Sequence, residues 1–216
     1  MKINYQLELD KTIKEIKKIN YVPRLLLHSC CGPCSTYVLE YLSNYFEISL
    51  LYYNPNIYPK GEFFFREQEQ EGLIKKVKTK YPIHFLKAEY IPEDYYKLVR
   101  GYEKDREGGN RCHICFDMRL RKTASIAKEK EFDYFTTTLS ISPHKDSQVL
   151  NQIGKELEEE FGVKYLCSDF KKRNGFKRSV ELTREYDMYR QDYCGCVFSY
   201  METKERQEKS SRGKEE

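Results

Sequence analysis

The chain has 216 residues, a formal net charge of +4 and eight cysteines; 39% of its residues are hydrophobic and 33% are charged. This length is enough for one domain with a substantial core, and the composition is typical of a soluble globular protein. No apolar run approaches the roughly 18 residues of a membrane span, and the N-terminal segment lacks the apolar stretch and cleavage site of a signal peptide. We therefore expect a cytoplasmic protein with no membrane partner.

Short apolar runs alternate with amphipathic stretches along the chain. The runs predict strands at residues 25–28, 48–53, 83–87, 132–139 and 163–167. The amphipathic stretches predict helices that begin near residue 34 and then cover about 62–80, 92–100, 111–130, 148–161 and 177–190. Because strands alternate with helices, the chain is predicted to form an α/β fold, a parallel sheet covered by helices on both faces.

Unusual loops follow three of the predicted strands. They read "SCCGPC", "NPNIYP" and "SISPHKD", and in a doubly wound sheet such loops meet at one edge, where ligands bind. A helical insertion at about 92–130 is expected to bring the C-x-x-C of Cys112 and Cys115 over the same edge. The sequence thus predicts one catalytic domain over residues 1–200. The polar tail, 201–216, is predicted to be disordered.

Seven of the eight cysteines fall into three clusters: Cys30/Cys31/Cys34, Cys112/Cys115 and Cys194/Cys196. In a reducing compartment such clusters indicate metal binding or redox chemistry rather than a disulfide scaffold. Several converging thiolates are typical of zinc or an iron–sulfur cluster. The first two clusters are too far apart for a local zinc ribbon, which weakens that alternative without excluding zinc.

The turn after the first predicted strand has features of a reactive site. Gly32 permits a close backbone approach, and Pro33 suits the first turn of a helix. Because Cys34 lies near that helix N-terminus, its pKa is expected to be lowered. The remaining cysteine, Cys167, lies in an apolar strand and is expected to be a core thiol.

The "YCGC" segment has a different spacing from the other clusters. Cys194 and Cys196 can close a disulfide only with strain, and strained disulfides are easily reduced. Gly195 supplies the backbone freedom that this needs. A redox-active dithiol is therefore favoured, with two further metal ligands as the alternative.

Polar and basic residues near the predicted edge have two interpretations each. His144 and Asp146 are candidate catalytic residues, as proton donors or substrate contacts, although Asp146 also suits a helix cap. Candidate phosphate contacts of an RNA-binding surface are Lys145, Lys171, Lys172, Arg173, Lys177 and Arg178. The alternative for the basic run 171–178 is an ordinary solvated face.

Five ordered motifs resemble the epoxyqueuosine reductase QueH family: "HSCCGPC", "RCHICFDMRL", "TTLSISPHKD", "DFKKRNG" and "YRQDYCGCVFS". The resemblance implies a Rossmann-like fold of the adenine-nucleotide α-hydrolase (HUP) type. It also implies the last step of queuosine formation, in which two electrons remove the epoxide oxygen of epoxyqueuosine in the anticodon loop of tRNA, releasing water. An electron donor is required, and the sequence does not identify it.

The resemblance also implies a set of site residues. Cys30, Cys31, Cys112 and Cys115 are the implied ligands of a [4Fe–4S] cluster, and Cys194 and Cys196 are the implied redox pair. An additional metal ion, iron or zinc, is implied beside the cluster. Its ligands are to be sought among Cys34, Cys194, Cys196 and a nearby acid.

Two other functions are compatible with a fold of this class. One is a zinc-thiolate enzyme or a structural zinc protein. The other is a nucleotide-activating enzyme, which is disfavoured because "CCGPC" replaces the Gly- and Ser-rich turn expected of a phosphate cradle. Visible absorbance separates an iron–sulfur protein from a zinc protein.

Overall fold

Five short strands form one parallel sheet in a computed structural model of the chain, which describes residues 2–212 and the side chains of residues 2–210. The strands are β1 (Arg24–His28), β2 (Glu47–Tyr52), β3 (His84–Lys87), β4 (Tyr134–Thr137) and β5 (Lys164–Tyr165). Their order across the sheet is β3-β2-β1-β4-β5. The central strand is in register with both neighbours, so that Leu27 lies opposite Leu50 of β2 and Thr136 of β4.

Helices connect the strands and cover the sheet. They are α1 (Tyr5–Ile16), α2 (Gly32–Leu42), α3 (Lys60–Lys76), α4 (Pro92–Leu98), α5 (Asn110–Glu129), α6 (Ser147–Phe161), α7 (Gly175–Glu185) and α8 (Val197–Arg212). A 3₁₀ turn at Thr138–Ile141 follows β4. Both α4 and α5 lie between β3 and β4, so α5 carries Cys112 and Cys115 in the helical insertion that the sequence predicts.

The alternating side chains of β1 divide the core into two halves. Leu25 and Leu27 pack with apolar residues of α1, α2 and α3, whereas Leu26 packs with those of α5 and α6. Because successive side chains of a strand point to opposite faces, this division places helices on both faces of the sheet. The predicted Rossmann-like α/β fold is confirmed.

The strand order creates one switch point in the sheet. The chain builds outward from β1 to β3, then returns to place β4 on the other side of β1. The turns after β1 and β4 therefore lie side by side with no helix connecting them directly. This is the position at which doubly wound sheets bind ligands.

The two ends of the chain differ from the prediction. Residues 5–16 form a helix that the sequence analysis did not assign, and its Leu9 and Ile13 are buried. Residues 201–212, predicted to be disordered, continue helix α8. Phe198 in the first turn of α8 packs against α5, and the guanidinium of Arg111 lies 4.4 Å from its ring. This anchored turn explains why a polar segment continues as a helix; residues 213–216 lie outside the described residues.

Other boundaries shift by a few residues. The predicted strand at 132–139 is shorter, because its end tightens into the 3₁₀ turn, and the predicted strand at 163–167 reduces to β5. The last predicted helix ends at Glu185 instead of residue 190, and Asp187 just beyond it has a positive φ of 48°. Within residues 2–212, no helix combines the length and apolar character that a membrane crossing requires.

Candidate metal centre at the switch point

Three cysteines converge in the turn between β1 and α2. The Sγ atoms of Cys30, Cys31 and Cys34 all lie within 4.8 Å of one another, and those of Cys30 and Cys31 are 3.7 Å apart. Cys30 and Cys31 are buried, and Cys34 is half-buried in the first turn of α2. Over residues 2–212, this is the one group of three or more Cys, His, Asp or Glu side chains close enough to share a metal ion.

The three thiols strongly affect each other's ionisation. Hydrogen bonds from Cys31 and Cys34 hold the pKa of Cys30 well below its usual range. The same bonds raise the pKa of Cys31 to about 12 and raise that of Cys34 well above its usual range, and burial adds to both. The group therefore favours one thiolate at Cys30 with two thiols donating to it. The expected low pKa of Cys34 is wrong, because its role as a donor to Cys30 outweighs the effect of the helix N-terminus.

A buried network of hydrogen bonds holds the cysteine turn between β1 and α2 in place. The hydroxyls of Ser29 and Ser35 both donate to Oε1 of Gln70, at 2.6 and 3.0 Å. The amide of Asn54, from the turn after β2, donates to the carbonyl of Ser29 at 2.8 Å. From the turn after β4, Thr138 accepts a hydrogen bond from the backbone N–H of Cys30 at 3.4 Å. Two neighbouring turns of the sheet edge and helix α3 thus hold the cysteine turn.

His28, the last residue of β1, is a neutral structural residue. It is fully buried, with Nε2 3.1 Å from the carbonyl of Tyr53 and Nδ1 2.9 Å from the hydroxyl of Thr137. The carbonyl can only accept, so Nε2 carries the proton and the hydroxyl donates to Nδ1. Burial, with a smaller effect of Arg119, lowers the pKa of His28 to about 4.

The other two cysteine clusters approach each other at the same edge. Cys115 and Cys196 are buried in one apolar cluster with Tyr95 and Met118. Cys112 and Cys194 line a small cavity of about 90 Å³. Burial raises the pKa of Cys112, and it raises that of Cys115 to about 12.

Two cations lie among these thiols, the buried Arg119 and the half-buried Lys145. The guanidinium of Arg119 is 2% exposed, and its Nε donates to the carbonyl of Cys115 at 3.1 Å. Burial alone would lower the pKa of Arg119, but the thiols around it, Cys115 first, raise it. The pKa of Lys145 responds in the same way: desolvation lowers it, but Cys194 and Cys30 raise it overall. These cations offset negative charge on the sulfur atoms.

A cavity of about 320 Å³ opens over the cysteine turn. Its lining includes Cys30, Cys31, Cys34 and Cys194, together with His144 and Lys145. His144 is exposed at the mouth of this cavity. Asp146 caps α6 instead, because its side chain accepts from the backbone N–H of Gln148 at 2.7 Å. Of the two candidate proton donors, the geometry favours His144.

The basic run 171–178 is only partly available to a ligand. Arg173 pairs with Asp10, Arg178 pairs with Glu40 and Glu185, and Lys171 pairs with Asp169 at 2.8 Å. Lys172 and Lys177 are exposed, and no carboxylate within the described chain lies at ion-pair distance from either. Lys145, grouped with this run in the sequence analysis, lies by the cysteines.

Sequence reasoning missed three residues that support the site: Arg66, Gln70 and Thr138. Arg66 and Gln70 lie on α3, which the sequence analysis treated only as a covering helix. A partial signal exists for Arg66, since Glu62 precedes it by four residues and forms an ion pair with it at 2.7 Å. Thr138 follows β4 directly, at the carboxyl edge where ligand-binding residues are expected.

Comparison with known proteins gives a consistent result. A family model described as epoxyqueuosine reductase QueH matches residues 25–202. A protein of that name from Streptococcus pyogenes is 47% identical over 200 residues, covering 92% of this chain and 78% of its own. Its namesake from Staphylococcus epidermidis is 43% identical over 204 residues, covering 93% and 86%. A Thermotoga maritima protein of the same name is 34% identical over 194 residues, covering 87% and 96%.

Proposed function

Because the chain belongs to the epoxyqueuosine reductase QueH family, we propose that it removes the epoxide oxygen of epoxyqueuosine in tRNA. The product is queuosine, and the reaction is the last step of tRNA queuosine biosynthesis. The relatives are named for this reductase activity, which makes them oxidoreductases. The observation that carries the proposal is the group of three thiols within 4.8 Å at the floor of a cavity beyond the switch point.

The donor set suits an iron–sulfur centre. Cys30, Cys31, Cys112 and Cys115 are the proposed ligands of a [4Fe–4S] cluster, and all four are free thiols. The sulfurs of Cys30 and Cys31 lie 3.7 Å apart, whereas Cys112 and Cys115 lie outside the group of sulfurs within 4.8 Å of one another. Such a cluster supplies electrons one at a time when bound. The positive charges of the buried Arg119 and the half-buried Lys145 support the proposal because they would offset the charge of the thiolates. Cys34, the third sulfur of the first turn, is the proposed ligand of an additional iron or zinc ion.

The reaction needs two electrons and two protons. The two C–O bonds of the epoxide break, the carbon–carbon double bond forms, and the oxygen leaves as water. Cys194 and Cys196 can supply both equivalents as a dithiol, since closing their S–S bond releases two electrons and two protons. An external electron donor then reduces the disulfide. His144, at the mouth of the cavity, is the proposed proton relay.

The tRNA is proposed to bind across the mouth of the cavity. Lys172 and Lys177 can contact phosphates, which position the substrate without reading its sequence. Recognition of the modified base then depends on the cavity itself, because bases of an anticodon loop can be splayed out of the stack.

The test is conversion of the modified nucleoside. Anaerobically purified protein is incubated with epoxyqueuosine-containing tRNA and a chemical reductant, and the digested nucleosides are measured by mass spectrometry. We expect epoxyqueuosine to be replaced by queuosine, which has one oxygen fewer. Unchanged epoxyqueuosine in the presence of fully metal-loaded protein would refute the proposed function.

A further inference from the structure

Arg66 is a buried arginine that reaches from α3 to the C-G-C turn. Only 2% of its side chain is exposed. Its Nε donates to Oε1 of Glu62 at 2.7 Å, and its Nη1 donates to the carbonyl oxygen of Cys194 at 3.2 Å. The guanidinium carbon lies 5.0 Å from the centre of the Tyr193 ring. One side chain thus contacts two consecutive residues of the turn, 128 positions away in the sequence.

A second set of bonds closes around the same turn. The backbone N–H of Tyr58 donates to the carbonyl of Gly195 at 2.7 Å, and the hydroxyl of Tyr193 donates to the carbonyl of Tyr58 at 2.5 Å. The N–H of Gly195 donates to the hydroxyl of Ser199 at 3.3 Å. Since residues 187–196 belong to no helix or strand, such long-range bonds determine where Cys194 lies.

Gly195 has a conformation that disfavours any side chain, and its surroundings are tight for an added Cβ atom. Its φ is +136°, which L-residues rarely adopt. A Cβ atom there would lie 3.2 Å from both Nη1 of Arg66 and Cγ1 of Ile57. The turn and the guanidinium therefore fit closely against each other.

Helix α3 also contacts the first cysteine turn, because the hydroxyls of Ser29 and Ser35 donate to Oε1 of Gln70, one helical turn beyond Arg66. Burial opposes the charged form of Arg66, but Cys31 and Glu62 together raise its pKa overall. Its Nη2 is buried without a hydrogen-bond partner, which costs stability in a protein interior. A costly buried charge beside a reactive segment is typical of functional positions.

We propose that Arg66 is a positioning residue that holds the 193–196 turn against α3 through the carbonyl of Cys194. The same helix bonds to the first cysteine turn through Gln70, so α3 joins the two cysteine motifs. The inference rests on the proposed function in one respect: the 193–196 turn takes part in turnover only if the protein is the proposed reductase. It assigns Arg66 no contact with the substrate. The neighbouring Glu62 orients the guanidinium through the bond to Nε.

Backbone hydrogen exchange tests the proposal directly. The full chain, purified anaerobically, is compared with the variants Arg66→Met and Arg66→Lys, with metal content measured in parallel. Losing a charge-assisted hydrogen bond should make the amides of Tyr58 and Gly195 exchange roughly ten- to hundredfold faster in Arg66→Met. Arg66→Lys keeps the charge and one donor, so it should show an intermediate increase. The amides of Leu26 and Leu27 in β1 should be unchanged.

Arg111→Met is the matched control. Arg111 is also buried and lies over an aromatic ring, but it donates to the carbonyl of Glu103 at 2.8 Å. Its loss should speed exchange near Glu103 and in the first turn of α8 around Phe198, and it should leave the amide of Tyr58 protected.

Two results would overturn the proposal: exchange at Tyr58 and Gly195 within twofold of the unaltered protein, or equal acceleration in β1. If Arg66→Met does not fold, the exchange rates of Tyr58 and Gly195 in Arg66→Lys, compared with those of the unaltered protein, test the proposal. Exchange is measured without tRNA, so a negative result for Arg66 can be distinguished from failure of the proposed reductase function.

Discussion

The two glycine-containing cysteine motifs of this protein are built in opposite ways. "CCGPC" joins a central strand to a helix, and its backbone continues regular structure on both sides. "CGC" lies in an irregular segment that ends where α8 begins, and side chains from distant parts of the chain hold it. The first sulfur group is thus set by a strand and a helix and also held by bonds from Gln70, Asn54 and Thr138, whereas the second is held by long-range bonds without regular structure before it. The first suits a permanent ligand set and the second a group that changes state.

The largest expected effect comes from removing a thiol of the first motif. Cys30→Ser and Cys31→Ser should each lose most of their iron and all reductase activity, because a cubane requires its thiolates. Metal analysis of the purified variants measures this loss. Cys167→Ser is the control, since Cys167 lies outside the three clusters, and it should retain both iron and activity. Full iron content in Cys30→Ser would show that the first motif is not a ligand set.

Gly195→Ala should break the second motif without affecting the first. Forcing a Cβ into a left-handed backbone costs about 1–2 kcal/mol, and it displaces the turn from Arg66. A displacement of about 1 Å is enough to lower turnover by roughly a hundredfold. We expect iron content to be retained, as measured by metal analysis beside single-turnover kinetics.

Gly72→Ala provides the matched comparison. Gly72 lies within α3, and apart from its chain neighbours and the adjacent backbone of that helix, no atom lies within 4 Å of the added Cβ. Alanine should therefore stabilise the helix by about 0.5–1 kcal/mol, seen as a higher Tm, with activity unchanged. Normal turnover in Gly195→Ala would contradict the view that this turn is held in place for the reaction.

A smaller effect is expected from Lys145, which lies between the two motifs. Lys145→Gln removes a cation beside Cys194 and Cys30 and should lower turnover about tenfold while changing tRNA binding little. Lys172→Gln should instead weaken tRNA binding while changing turnover little. Steady-state kinetics and a binding titration on both variants separate the two roles. If Lys145→Gln weakened tRNA binding without lowering turnover, Lys145 would be a phosphate contact and not a residue that acts on the thiolates.

The smallest effect concerns the basic run beside the motifs. Neutralising Lys172 and Lys177 together should weaken tRNA binding and reduce the slope of log affinity against log salt by about two. Binding titrations at several salt concentrations measure that slope. Neutralising Arg173 and Arg178 should change it less, because ion pairs with Asp10 and Glu40 already occupy them. Equal slopes for the two double variants would contradict this assignment of contacts.

Local patterns explain which parts of the molecule were predictable from the sequence. An apolar run followed by Gly32 and Pro33 is sufficient to place a strand, a turn and a helix, so the first motif was located correctly. The alternation of strands and helices likewise predicted the parallel sheet. These features depend on residues that are neighbours in the chain.

The second motif depends on contacts that no local pattern contains. Nothing around Cys194 indicates that Arg66 will bond to its carbonyl, because the partner lies 128 residues away. The ion pairs of Arg173 and Arg178 were equally unpredictable, because Asp10 and Glu40 are distant in the sequence. The run 171–178 therefore has fewer unpaired positive charges than its sequence suggests. Helix α8 was missed because its composition is polar and its stability comes from the contacts of Phe198.

The most direct test of the proposed iron–sulfur site is the metal content of the anaerobically purified protein, measured as iron, acid-labile sulfide and zinc beside the visible spectrum. The account predicts about four iron and four sulfide ions per chain in the cluster, with broad visible absorbance that disappears in Cys30→Ser. Stoichiometric zinc without sulfide or visible absorbance would contradict it.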